Sequence, residues 1–450
     1  MLKPIKRFLS YFVGFVVVTT ACIIQPIQAQ VDIQVTSGQR RALPIAVTDL
    51  RVDDANVADI AHDLPQLIRE NLQKTGLLKL LGSSAFPQSP NQALEGVDFN
   101  GWSVDKTQAL MTGSLSTLSD GRMQANIWLY DVPQRKEIFA LSYSATSDSW
   151  RRIGHIIADE IYVRLTGEAG LFDSRIVYVS ESGPSTRRIK RLAIMDQDGG
   201  NHRFLTDGSQ LVLTPRFSPT RQEITYISYE AGRPQVQLLN LATGHRETLG
   251  DFPGRTMTFA PRFSPDGQSV ILSLALEGNT DIYVMNLQTR QVRQLTRDSA
   301  IDTSPSYSPD GKRIVFNSDR GGSQQIYVMN ADGSGVQRIS FGAGIYATPV
   351  WSPKGDKIAF TRILDNDFAV GIMDTDGFNE RLISTGFLVE GPEWSPNGRI
   401  LTYFKQDRAL NDESAGRTRL FMVDTFSFLE REIPTPADAS DPAWSPLLPR

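Results

Sequence analysis

Cysteine is almost missing from this 450-residue chain: Cys22 is the only one, and it lies in an apolar leader. A disulfide framework is therefore excluded. Histidine is nearly as scarce. His62, His155, His202 and His245 are scattered, and no two stand at metal-ligand spacing. The chain has no Gly-x-Ser-x-Gly elbow and no glycine loop of the kind that cradles phosphate. Beyond the leader no stretch approaches the ~18 continuous apolar residues of a membrane span. Charge of one sign is not in excess either. A net charge of −4 gives no reason to expect a nucleic-acid surface or a polybasic membrane patch. A hydrophobic content of 40% remains, enough for a sizeable globular core.

The leader reads as a secretory signal over residues 1–29. Lys3, Lys6 and Arg7 precede an apolar run, and Ile27-Gln28-Ala29 suits cleavage. Cleavage would remove those three positive charges, take the net charge from −4 to −7, and discard Cys22. Two rival readings are a retained anchor and a lipid on Cys22. Gln25-Pro26 holds the apolar run to about the minimum for a span. Thr19-Thr20-Ala21 lacks the leucine usual before a lipidated cysteine.

What the chain does have is a phrase used six times. Thr-Pro-Arg-Phe-Ser-Pro at 214–219 returns as Ala-Pro-Arg-Phe-Ser-Pro-Asp-Gly at 260–267 and Ser-Pro-Ser-Tyr-Ser-Pro-Asp-Gly at 304–311. Then come Thr-Pro-Val-Trp-Ser-Pro-Lys-Gly at 348–355, Gly-Pro-Glu-Trp-Ser-Pro-Asn-Gly at 391–398 and Asp-Pro-Ala-Trp-Ser-Pro at 441–446. The serines are 46, 44, 44, 43 and 50 residues apart, a period that signals a β-propeller. Proline presets the turn, glycine ends it, and serine bonds the backbone at its start. The aromatic before each serine is large enough to fill the space between packed sheets. In a whole unit three β-rich runs follow the phrase, for example 313–318, 325–330 and 336–340; Asp-Gly turns join the last two. The first runs, beginning at Arg175, have no phrase before them, and the last phrase has no runs after it. The C-terminal strand is thus expected to close the first blade, giving six blades without open edges.

Residues 30–166 read differently. A strand is expected at 43–47, a helix over 56–74 that Pro65 should kink or delay, and a short strand at 77–81. Residues 86–101, rich in Pro, Asn and Gly, read as a loop. Three antiparallel strands (109–117, 123–131, 137–144) precede a helix capped by Asp148 or Ser149. Residues 167–174 read as a linker loosened by Gly167 and Gly170. The fold class expected is mainly β: a small mixed α/β domain, then a six-bladed β-propeller over residues 175–450.

No reactive site survives inspection. Asp196-Gln197-Asp198-Gly199 and Asp374-Thr375-Asp376-Gly377 look like the start of a calcium loop but lack its later ligands, and a hairpin turn explains their recurrence. Six repeated serines without a nearby histidine are turn residues rather than nucleophiles. No cofactor is expected. Function then falls to the faces of the ring. The loops leading into the six phrases (207–214, 254–260, 297–304, 341–348, 385–391 and 436–441) should surround one mouth of the channel. They differ from one another and carry Met257, Phe259, Tyr346, Phe387 and Leu388 among polar residues, as a protein-binding rim would. An alternative is an exported lectin or hydrolase using the channel, for which these loops offer Asp207, Asp298, Asp302, Glu390, Asp438 and Asp441.

The order of parts, the six phrases and Leu43-Pro44-Ile45-Ala46-Val47 near the mature N-terminus resemble the TolB family of the Tol–Pal envelope system. The resemblance covers essentially the whole mature chain. It implies a non-enzymatic periplasmic scaffold that binds the lipoprotein Pal through the propeller and TolA through its extreme N-terminus. Such a scaffold supports outer-membrane integrity and constriction during division, with room for further envelope partners. Carried over, the TolA segment is Val31, Asp32, Ile33, Gln34, Val35, Thr36, Ser37 and Gly38. The Pal surface takes in Met257, Phe259, Ala260, Asp302, Thr303, Tyr346, Thr348 and Glu390, centred on Met257, Ala260 and Thr303. Two departures stand out: Thr48-Asp49-Leu50 where a Pro-Phe pair is common, which touches N-terminal docking, and Thr220-Arg221 for Asp-Gly, which should alter one turn.

Overall fold

The computed structural model describes residues 42–230, 232–250, 257–276, 278–409 and 416–449. The expected leader and the segment from Val31 to Gly38 lie outside the described residues.

The N-terminal domain is one sheet with the strand order Leu78–Leu80, Leu43–Val47, Ala109–Thr117, Met123–Asp131, Lys136–Ala145; Arg51–Val52 pairs beside Ala109–Thr117. Met123–Asp131 alternates strictly between buried and half-buried residues, the signature of a sheet covered on one face. The cover is the helix Ala58–Lys74, through Leu64, Ile68 and Leu72, and the helix Trp150–Thr166, through Ile153, Ile157 and Ile161. Pro65 does not stop the first helix. It is buried within it. Residues 86–101 are not a plain loop: Pro90–Glu95 and Phe99–Ser103 are short helices. Ser89 and Gln92 form a reciprocal capping box with Pro90 at the first helical position, which outweighs the turn-like composition. Ser149 flanks the last helix without a side-chain cap bond. At the departure by Thr48-Asp49-Leu50, Arg69 bonds Asp49 at 2.6 Å and the Val47 carbonyl at 2.8 Å, and Leu50 is buried.

Six four-stranded sheets make the ring. Blade one is the split one. Its inner strand, Asp438–Trp444, pairs antiparallel with Arg175–Ser182, matching Ala439 to Ser180 and Trp444 to Ile176. Ser445 locks the join: its hydroxyl accepts the Arg175 N–H at 2.8 Å and its own N–H returns to the Arg175 carbonyl at 2.8 Å. Blades two to six follow in order from Val212, Met257, Asp302, Ile345 and Leu388. Each phrase serine is the hub of its turn. The Ser308 hydroxyl accepts the Arg313 N–H at 2.9 Å and donates to Asp310 at 2.6 Å; Ser395 does the same with Ile400 and Asn397. Where Thr220-Arg221 replaces Asp-Gly, Ser218 accepts from those two backbone N–H groups instead, so one turn differs. The Asp-Gly hairpins depend on glycine for more than φ. A Cβ on Gly333 or Gly377 would run into the carbonyl of Leu295 or Ile339 in the preceding blade.

Every inner strand is also bulged at the residue-proline step, between Leu213 and Arg216, Phe259 and Arg262, Thr303 and Ser306, Ala347 and Val350, Glu390 and Glu393, and Ser440 and Ala443. Thr214, Ser304, Thr348 and Asp441 reach the left-handed region there (φ 46, 54, 45 and 50°), as Gly391 does at 70°. Non-glycine residues in that region are strained, and the ring repeats the strain around its axis.

The region at 167–174 is pinned rather than loose. The buried Asp159 carboxylate accepts the N–H groups of Leu171, Phe172 and Asp173 at 2.6, 2.8 and 2.8 Å. Leu171 and Phe172 then join one core with Tyr162, Ile176, Ile400 and Trp444, so the two domains share a hydrophobic centre.

Candidate functional site

The two faces of the ring differ in what covers them. The N-terminal domain sits on the face formed by the Ser-Pro turns. Glu168 pairs with Lys354 at 2.9 Å and Asn397 donates to the Ala169 carbonyl at 3.0 Å, both from phrase turns. Arg431 and Arg399 cap the end of the first helix through the carbonyls of Lys74 and Thr75 at 2.6 and 3.4 Å. Gln197 donates to Asn71 at 2.9 Å, and Asn71 in turn bonds His155 Nδ1 at 2.9 Å.

That junction also gathers a histidine and two carboxylates. His155 Nε2 lies 3.6 and 3.9 Å from carboxylate oxygens of Asp196 and Asp198, the donor set the histidine spacing had not suggested. Arg151 already occupies both acids, at 3.4 and 2.7 Å, so the group reads as an interdomain ion pair. In the second Asp-Gly turn Asp374 pairs with Lys357 and with Asn379.

The lead-in face carries the candidate docking residues. Phe259 is 37% exposed, and Thr303, Thr348 and Glu390 are half-buried. The side chains of Met257 and Ala260 lie outside the described set; their backbone belongs to the inner strand Met257–Phe263. Two expected rim residues are corrected. Tyr346 is fully buried and its hydroxyl donates to Glu380 at 2.7 Å. Asp302 is fully buried and paired with Arg320 at 2.8 Å. Both begin or follow the start of an inner strand, so they turn into the blade. Asp438 is likewise tied to Arg188.

In their place the structure exposes Leu211, Ile301, Phe341, Ile345 and Phe387. Sequence reasoning missed four of these and named only Phe387. A signal existed: four residues before each phrase proline stand Leu211, Met257, Ile301, Ile345 and Leu388, with Asp438 as the exception. At that repeated position Leu211, Ile301 and Ile345 are exposed, whereas Leu388 packs partly against the core.

Inside that rim Glu390 is the unusual group. Burial, then the Asp441 charge, pushes its carboxyl up to about 7. Asp441 also accepts the Thr214 N–H at 3.2 Å. Deeper, Glu393 holds Arg262 through two bonds of 3.1 and 2.8 Å. The lead-in mouth therefore joins exposed apolar residues to a polar throat, an arrangement suited to receiving protein side chains.

Residues 31–138 match the family model of the TolB amino-terminal domain and residues 162–448 that of the TolB beta propeller domain. The Tol-Pal system protein TolB of Paramagnetospirillum magneticum is 53% identical over 443 residues, covering 98% of each chain. That of Pelagibacter ubique is 50% identical over 437 residues, covering 95% of this chain and 97% of its own. The crystal structure of TolB from Acinetobacter baumannii superposes with a TM-score of 0.76 at 30% identity, over 90% of this chain and 97% of that one.

Proposed function

The chain belongs to the TolB family and is a component of the Tol–Pal system, and from that premise we propose that it is a periplasmic docking scaffold which binds Pal at the lead-in mouth and TolA through residues 31–38. One observation carries the reading. The N-terminal domain occupies the Ser-Pro face, which leaves the lead-in rim of Leu211, Phe259, Ile301, Ile345 and Phe387 open for a partner. Thr303, Thr348 and Glu390 stand beside that rim, whereas Tyr346 and Asp302 support it from within. The TolA segment precedes the first strand, Leu43–Val47, and is short enough to exchange between a docked and a free state. Binding on the ring would shift that balance and so couple the two partners. Among the described residues no helix is long and apolar enough to cross a membrane, consistent with a protein attached to the envelope through its partners.

The test uses the mature chain and the soluble domains of Pal and TolA. Ile345→Asp with Phe259→Asp should abolish Pal capture and leave TolA capture intact. Deletion of residues 31–38 should do the reverse. Retention of TolA binding by the deletion variant would sink the assignment of that segment.

A further inference from the structure

The ion pair at the interdomain junction leaves one buried donor atom unused. His155, on the helix Trp150–Thr166, is 2% exposed, and its Nε2 has no hydrogen-bond partner. Yet Nε2 is aimed at acid, 3.6 Å from an Asp196 oxygen and 3.9 Å from an Asp198 oxygen. Those separations exceed a hydrogen bond. They fit ligands of one ion, because bonds of about 2.1 Å at tetrahedral angles put neighbouring donor atoms about 3.4 Å apart. One donor atom from each of the three residues lies within 4.8 Å of the others.

The surroundings hold the three in place. The Gly200 N–H donates to the other Asp198 oxygen at 3.0 Å, and Asn201 donates to Asp196 at 2.8 Å. His155 Nδ1 is bonded to Asn71, and Asn71 to Gln197, both at 2.9 Å. Metal-bound imidazoles are steadied in this way through their second nitrogen. Binding through Nε2 places the ring proton on Nδ1, where the Asn71 amide oxygen accepts it once the Asn71 and Gln197 amides turn end for end. Charge favours a cation. Arg151 is the one guanidinium in contact with both carboxylates, which leaves one negative charge over; Lys74 and Arg175 act on them from farther away. Arg151 is also the movable member, its side chain 23% exposed where those of His155, Asp196 and Asp198 are 9% or less. In blade five the same Asp-x-Asp-Gly turn pairs its Asp374 with Lys357 and Asn379, so the imidazole sets the junction copy apart.

We propose that His155 Nε2, Asp196 and Asp198 bind a divalent transition-metal ion of the zinc class, which takes the place of the Arg151 guanidinium and ties the N-terminal domain to blade one. A nitrogen donor beside two carboxylates suits zinc or cobalt better than magnesium, and a fourth position is left for water. The site rests neither on the lead-in mouth nor on residues 31–38.

Calorimetric titration of the untagged mature chain with zinc chloride, repeated with cobalt chloride, tests this. One equivalent should bind, excess magnesium should not displace it, and zinc should raise the melting temperature. His155→Gln and Asp198→Asn should each weaken binding by more than about tenfold, and Asn71→Ala by about tenfold. Arg151→Met should tighten it, because the competing guanidinium is gone. Asp376→Asn in the blade-five turn, and His62→Gln with His245→Gln at exposed histidines, should leave it unchanged. Should His155→Gln fail to fold, Asp198→Asn and Arg151→Met decide by moving the affinity in opposite directions. Failure of the natural chain to saturate at one equivalent, displacement by magnesium, an affinity untouched by His155→Gln or Asp198→Asn, or loss of binding in the His62 and His245 variant overturns the site, whatever the outcome of Pal and TolA capture.

Discussion

Replacing Glu390 by glutamine removes one ionisable group from the channel throat and keeps its shape. In the folded ring this carboxyl is raised from 4.5 to about 7, first by burial and then by Asp441. The unfolded chain releases its proton near the ordinary value, while the folded chain holds it until about 7. Between those limits the native state binds more protons, so stability falls as pH rises. The rise from 4.5 to about 7 corresponds to a penalty of about 3 kcal/mol that is complete above pH 7 and absent below the unfolded value. Glu390→Gln should therefore melt higher than the natural chain by about 3 °C near pH 8.5, at about 1 °C per kcal/mol for a chain of this size, and the gap should close near pH 4. Paired calorimetric melts across that range measure it. Parallel profiles for the two proteins would refute the buried, charge-coupled environment assigned to Glu390. Asp441→Asn should narrow the gap without closing it, because burial is the larger cause.

Two further outcomes follow from the junction and the closure. Asp159→Ala leaves three buried N–H groups without their acceptor and should cost about 3 kcal/mol, with faster amide exchange at Leu171–Asp173 by mass spectrometry; unchanged exchange there would contradict the pinned junction. Truncation before Asp438 removes the inner strand of blade one. The shortened chain should self-associate through the exposed edge of Arg175–Ser182, and a monodisperse monomer in light scattering would show that the ring does not need its seam.

Ring and seam were legible because their code is local. Ser-Pro-Asp-Gly specifies a turn within four residues, and unmatched phrase and runs at the two ends require joining. The rim was only partly legible. Tyr346 and Asp302 stand in segments that read as loop, yet the strands Ile345–Trp351 and Asp302–Tyr307 reach into those segments and turn both side chains inward. The two short helices at 90–103 were hidden by prolines and glycines that suggested a loop, although Ser89, Pro90 and Gln92 spell a helix start. The face covered by the N-terminal domain was not legible at all. It rests on pairs such as Asn71 with Gln197 and Glu168 with Lys354, whose partners are separated by long stretches of chain and follow no periodic pattern. Four of the left-handed bulges were equally silent, because threonine, serine and aspartate occupy them where glycine, as at Gly391, announces the conformation.

The seam in blade one sets an order on biogenesis. The ribbon that finishes the first sheet is synthesised after the five whole blades, so those blades and the appended domain wait beside an incomplete sixth until it emerges. During that interval the waiting edge is the most vulnerable place on the molecule. Any need to shield that edge ends once Trp444 is seated.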